Sequence, residues 1–375
     1  MNTLVRSPRL ASLDVFRGLA IAAMILVNNP GSWKYTYSPL KHAEWHGFTP
    51  TDLVFPAFLF IVGVAMAFSF AKYFRFRRFP FSVYGRILWR SLVLFALGLL
   101  LNGFYTYEWD TIRIMGVLQR ISLAYLLASL VVLRLKPLQQ MMLAAIVLVA
   151  YHLVTIAVPV PGFGVGDLSR EGNLVGYLDR LILGQPHLLR DGVFDPEGLL
   201  STLPATVTVL LGYFTGDWLR RQPTDSQTSV GLIVVGIVGA IVGSLWGSIF
   251  PLNKSLWTSS YVVYSAGWCW LLLAILYQVV EVWRWRSWAF PLQVMGRNAI
   301  VIFVGSGFLA RILLYTSIDT GEEPIALQAW IYQRLFQSWA GEFGGSIAYA
   351  IANVVLWGAI AYFLYRRRWF IKVRS

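Results

Sequence analysis

Cysteine is nearly absent from this chain: Cys269 is the only one in 375 residues, and there are only four histidines. A lone thiol within an apolar stretch excludes an internal disulfide and any cysteine cluster for metal or redox chemistry. Charge is scarce as well. Asp, Glu, Lys and Arg make up 13% of the residues, where a soluble globular domain has about 25%. No small-residue cleavage site closes the first apolar run, and Asp14 and Arg17 lie inside it, so no removable signal peptide is expected. Internal repeats and low-complexity segments are missing too.

What the chain does have is apolar sequence, 57% of its residues, in runs of bilayer-spanning length. Ten such runs are expected to be helices, at 12–31, 51–71, 87–105, 114–134, 139–158, 199–219, 229–250, 259–281, 296–316 and 346–366. The expected fold is therefore all-α, a polytopic membrane helical bundle in one domain, residues 1–375. The net charge of +13 would suit nucleic acid or an anionic membrane, and its distribution decides between them. With the N-terminus set in the cytoplasm, about twenty of the thirty-one basic residues fall in inner loops and tails. They include Arg6, Arg9, Arg77, Arg78, Arg86, Arg90, Arg297, Lys372 and Arg374. Most acids, among them Glu44, Asp179, Asp191, Asp195, Glu197, Glu322 and Glu323, fall outside. Both termini then face the cytoplasm, the partner surface is the lipid bilayer, and no nucleic acid is expected. Two long outer loops remain, 159–198 and 317–345, the second with an aromatic segment from Trp330 to Trp339.

The polar exceptions concentrate in one hairpin, residues 12–71. Asp14 and Arg17, three apart, can pair on one helix face, or Arg17 can meet a phosphate. Asn28 and Asn29 end the first run before Pro30-Gly31, and can donate to an oxyanion or cap the helix. The following loop offers His42, Glu44, Trp45 and His46. A histidine can serve as base or nucleophile in acyl transfer, or be a solvated loop residue. Thr49-Pro50-Thr51-Asp52 reads as a helix start, so Asp52 is either a cap, the partner of His42, or both. His42 and His46 are four apart, yet Gly47 and Pro50 break any helix that would align them with Asp52, and no metal is expected. Arg120, within GVLQRISLAY, is an intramembrane arginine, a functional candidate or one half of a helix-to-helix ion pair with an acid such as Asp110.

The pattern LDVFRG, then VNNPG, then LKHAEWHGFTPTDLVFPAFLFIVG resembles the catalytic region of the heparan-alpha-glucosaminide N-acetyltransferase family, and its bacterial amino-sugar relatives more closely still. The likeness runs on through GVLQRISLAYLLA, FDPEGLLSTLPATVTVLLGYFTGDWL, PLNKSLWTSSYVVYSAGWCWLL and PLQVMGRNAIVIFVG, over nearly the whole chain. The large luminal N-terminal portion of the animal enzyme is not in it. The resemblance implies acetyl transfer from cytoplasmic acetyl-CoA to a terminal glucosamine or related amino sugar across a bacterial inner membrane. It also suggests a homodimer. It makes His42, in the KHxxW motif, the catalytic histidine, and matches Asn28 and Asp52 to catalytic-region positions. Arg17, Arg86, Arg90 and Arg120 become candidates for holding acetyl-CoA. Glu44, Trp45, Asn253 and Lys254, the last two in the outer PLNKSLW loop, become candidates for binding the acceptor or lining its passage. Competing readings are an O-acetyltransferase of a cell-surface glycan and a sugar or anion transporter, although no matched pair of interrupted helices suggests two related halves.

Overall fold

The computed structural model describes residues 10–75, 79–189, 192–319 and 324–370. Of the charge-sorted residues, Arg6, Arg9, Arg77, Arg78, Lys372 and Arg374, with the acids Asp191, Glu322 and Glu323, lie outside these. Helix dominates because lipid offers no partner for an unsatisfied peptide group, and each apolar run closes its hydrogen bonds within itself. The elements are α1 (Ala11–Asn28), α2 (Val54–Phe70), α3 (Phe81–Gly103), α4 (Val117–Arg134), α5 (Pro137–Ala157) and α6 (Leu174–Leu183). They continue as α7 (Thr202–Leu219), α8 (Ser226–Gly247), α9 (Ser259–Tyr277), α10 (Phe290–Arg297), α11 (Ala299–Tyr315), α12 (Leu327–Tyr332) and α13 (Ser338–Arg366).

Each of the ten expected runs is occupied by a helix, but the helices are not equivalent. Eight are long and apolar enough to cross a membrane among the described residues, and a bent pair makes a ninth candidate. That pair is α10 and α11, which meet at 82° around Asn298, so the run expected at 296–316 is one limb of a broken element. The remaining helix, α7, is too rich in threonine and glycine to count with the eight. Its position explains the composition: it is buried along most of its length and faces protein more than lipid. The two long loops are also partly helical. Residues 159–198 contain α6, capped by Asn173, whose side chain accepts from Gly176 N at 2.7 Å. In 317–345, a two-residue hairpin (Ser317–Ile318 with Ile325–Ala326) leads into α12, a π turn and the start of α13. The aromatic segment is therefore helix, not loop.

An inner group and an outer ring can be told apart by burial. In α2, 67% of the apolar window is buried, whereas in α8 it is 22%. Close packing of the inner group rests on glycine. A Cβ on Gly63 of α2 would sit 1.9 Å from the Val209 carbonyl oxygen of α7, and one on Gly212 of α7 would sit 2.0 Å from that of Phe60. In lipid the driving force is packing itself, so backbones that touch hold the helices together. Gly18 of α1 and Gly296 of α10 repeat the arrangement, against Leu292 and Asp14 carbonyls at 1.8 and 2.0 Å.

Arg120 is the most deeply buried cation among the described residues. Its guanidinium donates to Ser201 Oγ and to Gly198 O, and lies 4.9 Å from the Trp257 ring centroid. It thereby fastens the start of α7 to α4, without an ion pair to Asp110. Near it, Asp179 of α6 is fully buried; its Oδ1 accepts from Leu199 N at 2.8 Å and its Oδ2 has no hydrogen-bond partner. Burial pushes the Asp179 pKa up to about 7, with the Asp195 carboxylate adding to the rise and Arg120 and Arg180 opposing it.

Two outcomes are expected. Gly63→Val forces a side chain into the Val209 backbone and should lower the melting temperature in detergent or abolish recovery of monodisperse protein. An unchanged melting curve would contradict this account of the α2–α7 contact. For Asp179 the folded-state pKa lies above the unfolded one, so the fold binds the extra proton. Its contribution is fully present below about pH 4 and fades as pH rises through about 7. Melting temperature measured from pH 5 to 8 should fall with pH in the wild type, with a shallower slope in Asp179→Asn.

Candidate functional site

The loop between α1 and α2 is fixed from several directions before any chemistry is considered. Thr51 Oγ1 donates to Pro39 O at 3.1 Å, and Gly47 N donates to Leu252 O at 2.8 Å. Gly47 has φ +119, a backbone region that suits glycine. At the far end Pro50–Leu53 forms a 3-10 turn opening α2, with Thr49 as its cap. Tyr261 of α9 donates its hydroxyl to Asp52 O at 2.7 Å, so the turn is held by a helix more than two hundred residues away.

Asp52 is the centre of this arrangement. Its Oδ2 accepts from Thr49 N at 3.0 Å, Thr49 Oγ1 at 3.1 Å and Ala43 N at 3.1 Å. Its Oδ1 lies 2.7 Å from His42 Nδ1. The capping role and the histidine-partner role are thus carried by the same carboxylate, one oxygen each. The Asp52 side chain is 1% exposed and that of His42 37%, so the pair presents imidazole to the outside and hides the acid. An ionised carboxylate only accepts, which assigns the Nδ1 proton to His42 and leaves Nε2 on the open side.

Lys254 completes the group. Its ammonium lies 3.1 Å from His42 Nδ1, 3.2 Å from Nε2 and 3.8 Å from Asp52 Oδ1. Such near-equal distances place it over the ring face, because an in-plane point that close to both nitrogens would collide with Cε1. The turn carrying Lys254 is locked by Trp257. That residue is buried at φ +52, donates Nε1 to Thr208 Oγ1 at 3.2 Å and packs edge-on against Phe55 and Tyr261.

A cavity of about 250 Å³ opens in front of His42, and Asn28, Glu44, Trp45, Asp52 and Lys254 line it. Two residues that sequence reasoning did not single out line it as well, Arg113 and Glu197. Arg113 holds Asp195 with two nitrogens, at 2.8 and 2.6 Å, and Glu197 with one of the same two. Burial pulls the Arg113 pKa down, but these carboxylates outweigh it and raise the value. Burial likewise pushes Asp195 up, and the Arg113 guanidinium more than reverses this, leaving its carboxyl below the ordinary range. The Asp-x-Glu spacing after Phe194 was the available sequence signal, but nothing local pairs it with an arginine some eighty residues earlier.

A larger cavity of about 430 Å³ lies between α1, α2, α3, α4, α10 and α11, with Arg17, Arg90 and Arg297 in its wall. Met24 and Val117 line both cavities, so the two adjoin there. Arg17 Nη1 donates to Asp14 Oδ1 at 3.3 Å, the pairing expected from their spacing. Arg90 rests on the Tyr125 ring at 4.6 Å, Arg297 on the Tyr365 ring at 5.1 Å, and the Nε of each is buried without a hydrogen-bond partner. These donors suit an anion.

The structure therefore brings His42, Asp52, Asn28, Glu44, Trp45 and Lys254 together, and sets Arg17 and Arg90 at the second cavity. Three expected site residues fall elsewhere. Arg86 lies over the Tyr73 ring and donates to Ser82 O at the start of α3. Arg120 is the structural anchor described above. Asn253 is fully buried; it holds Leu256 N through Oδ1 and approaches His46 Nδ1 at 3.3 Å. Burial lowers the pKa of His46. Among the described residues no three His, Cys, Asp or Glu side chains are grouped to hold a metal ion.

Comparison with known proteins places these features in a family. Residues 9–240 match the family model described as heparan-alpha-glucosaminide N-acetyltransferase, catalytic. The chain is 30% identical over 423 aligned positions to the heparan-alpha-glucosaminide N-acetyltransferase of Homo sapiens, an alignment covering 98% of this chain and 60% of the relative. To the Mus musculus protein of the same name it is 29% identical over 422 positions, covering 97% and 60%. The chain thus spans about 60% of the length of these curated relatives. The matched stretch takes in well over half of the chain and contains His42, Asp52 and Asn28, and on that match the protein belongs to the heparan-alpha-glucosaminide N-acetyltransferase catalytic family.

Proposed function

We propose that this chain is an integral membrane acetyltransferase. It moves an acetyl group from cytoplasmic acetyl-CoA to the amine of a terminal glucosamine or related amino sugar on the outer side of a bacterial inner membrane. In this reading ten helices cross, with both termini inside, and α7 and the bent α10–α11 pair count among them. The positive-inside sorting of the loops supports that orientation. The observation that carries the proposal is the His42–Asp52 pair at 2.7 Å, facing a cavity that adjoins a second one walled by arginines.

The residues divide the work by position. Arg90 and Arg297, with Arg17, hold the phosphates of the donor at the inner cavity, where each of the first two has a free Nε. The donor's thioester supplies an acyl group already activated toward amines. His42 Nε2 takes the proton that the amine loses as its nitrogen bonds to the acetyl carbon, and returns it to the departing thiolate sulfur. Asp52 keeps the imidazole in the Nδ1–H tautomer and offsets the charge that the ring gains. Lys254 over the ring, and the Asn28 amide across the cavity, stand where negative charge builds on the carbonyl oxygen. Nε2 is also the atom that would carry the acetyl group in a two-step route. Labelled acetyl retained on the protein without acceptor distinguishes that route from direct transfer.

In proteoliposomes, wild-type protein should transfer labelled acetyl from acetyl-CoA on one face to glucosamine on the other. His42→Ala should lower kcat by about 10²- to 10⁴-fold with the melting temperature retained. Undiminished acetylation by that variant would remove His42 from the chemistry. Asp52→Asn should lower kcat in the same direction. A panel of amino and hydroxy sugars, scored by acetyl-amide or acetyl-ester product, separates N- from O-acetylation. The double substitution Arg90→Leu, Arg297→Leu should raise the KM for acetyl-CoA by about 10- to 100-fold. It should leave transfer from acetyl-pantetheine, which lacks the nucleotide phosphates, far less affected. Equal effects on both donors would place the phosphates elsewhere.

A further inference from the structure

A third cavity, of about 200 Å³, lies between α1, α3, α4 and α11, and no step above uses it. Its polar lining includes Asn28 and Asn29, Asn102, Arg113, Gln119, Ser306 and Arg311. It shares Asn28, Arg113, Met24 and Val117 with the cavity in front of His42, so the two adjoin at these residues.

One donor in this lining is left without an acceptor. Gln119 is 1% exposed, and its Nε2 has no hydrogen-bond partner. The amide packs against Gly98, where an added Cβ would lie 2.3 Å from its Oε1, so the absence of a side chain at position 98 makes room for it. Arg113 is neutralised by Asp195 and Glu197. Arg311 is not: its Nη1 donates to Gly307 O at 3.2 Å, and no carboxylate pairs with it among the described residues. That contact also sets its direction. An arginine one turn from the end of a spanning helix ordinarily extends outward to the membrane surface. Arg311 folds back along α11 toward the helix middle and into the cavity wall instead. A cation drawn into the bundle, beside an amide donor with nothing to donate to, is costly unless an anion enters.

We propose that this cavity is an acceptor subsite for an anionic group, a carboxylate or phosphate carried by the amino sugar. Arg311 supplies the charge and Gln119 a hydrogen bond. The inference rests on the acetyltransferase reading for its location next to the reacting amine. The same chemistry could come from a donor phosphate, and the test separates the two sources.

The test uses the full chain in lipid nanodiscs with three acceptors: glucosamine, muramic acid and glucosamine 6-phosphate. Wild-type kcat/KM should favour at least one acid-bearing sugar over glucosamine by about tenfold or more. Arg311→Met should bring that ratio close to one, and Arg311→Lys should restore part of it. The subsite is overturned by an absent wild-type preference, or by a Met variant that loses equally on all three sugars. A comparable rise in the KM for acetyl-CoA also overturns it, since the anion would then be the donor's. If the wild type acetylates none of the sugars, the enzymatic reading fails. Equilibrium binding of muramic acid and glucosamine 6-phosphate then decides the subsite: weaker binding to Arg311→Met upholds it, and equal binding to both proteins overturns it.

Discussion

One buried carboxylate organises the His42 end of this bundle. Asp52 accepts from the backbone and hydroxyl of Thr49 and from Ala43 N on one oxygen, and faces His42 on the other. A charge taken out of water needs partners on every lone pair, and these supply them. The same contacts close the loop between α1 and α2, start α2 and choose the tautomer of His42. Tyr261 then ties the Asp52 backbone to α9, and the turn after α8 brings Lys254 over the imidazole. A requirement of folding, a capped helix start, and a requirement of the proposed acid–base chemistry, an oriented histidine, are met by one side chain.

Glycine makes the cavities compatible with a membrane protein. Where α2 meets α7, and α1 meets α10, backbones touch at glycines, so the helices cohere without large interdigitating side chains. Elsewhere the bundle can then spread enough to leave three adjoining cavities that share Met24 and Val117. The bend at Asn298 belongs to the same scheme. It lets α10 lie against α1 while α11 leaves in another direction and supplies one wall of two cavities.

Arginines in the bundle illustrate how one residue type takes different roles by surroundings. Arg120 donates through Nη2 to Ser201 and the Gly198 carbonyl and rests on the Trp257 ring; its Nε and Nη1 have no hydrogen-bond partner, but it lines none of the three cavities. Arg113 has two carboxylates and ties the α3–α4 connection to the α6–α7 connection. Arg90 and Arg297 stack on tyrosines and keep an unpartnered Nε beside a cavity, which is why the proposed function gives them the donor phosphates. Counting arginines in apolar sequence could not separate these cases, since the partners come from other helices.

Local features were legible in the sequence. Bilayer-length apolar runs located ten helices because hydrocarbon leaves a backbone no alternative to satisfying itself. Thr49-Pro50-Thr51-Asp52 declared a helix start, Asp14 and Arg17 declared a pair, and the KHxxW resemblance pointed to His42, all within short stretches of chain. The helical course of the aromatic segment after Trp330 is not legible in the sequence, because helix and loop differ little in composition there, and the hairpin and π turn that set its course depend on packing. Arg120 stands out in the sequence for its burial cost, yet its contacts are with Ser201 and Trp257, which the chain brings back only after eighty residues or more. The sequence by itself determined the membrane class, the helix positions and the residue types beside His42, since each depends on neighbours within a few turns. Only the tertiary structure decided that Lys254 lies on the His42 ring, that Arg113 joins Glu197, and that Arg311 turns inward to a shared cavity. Those contacts join distant segments, and long-range contact is the one relation that neither periodicity nor spacing encodes.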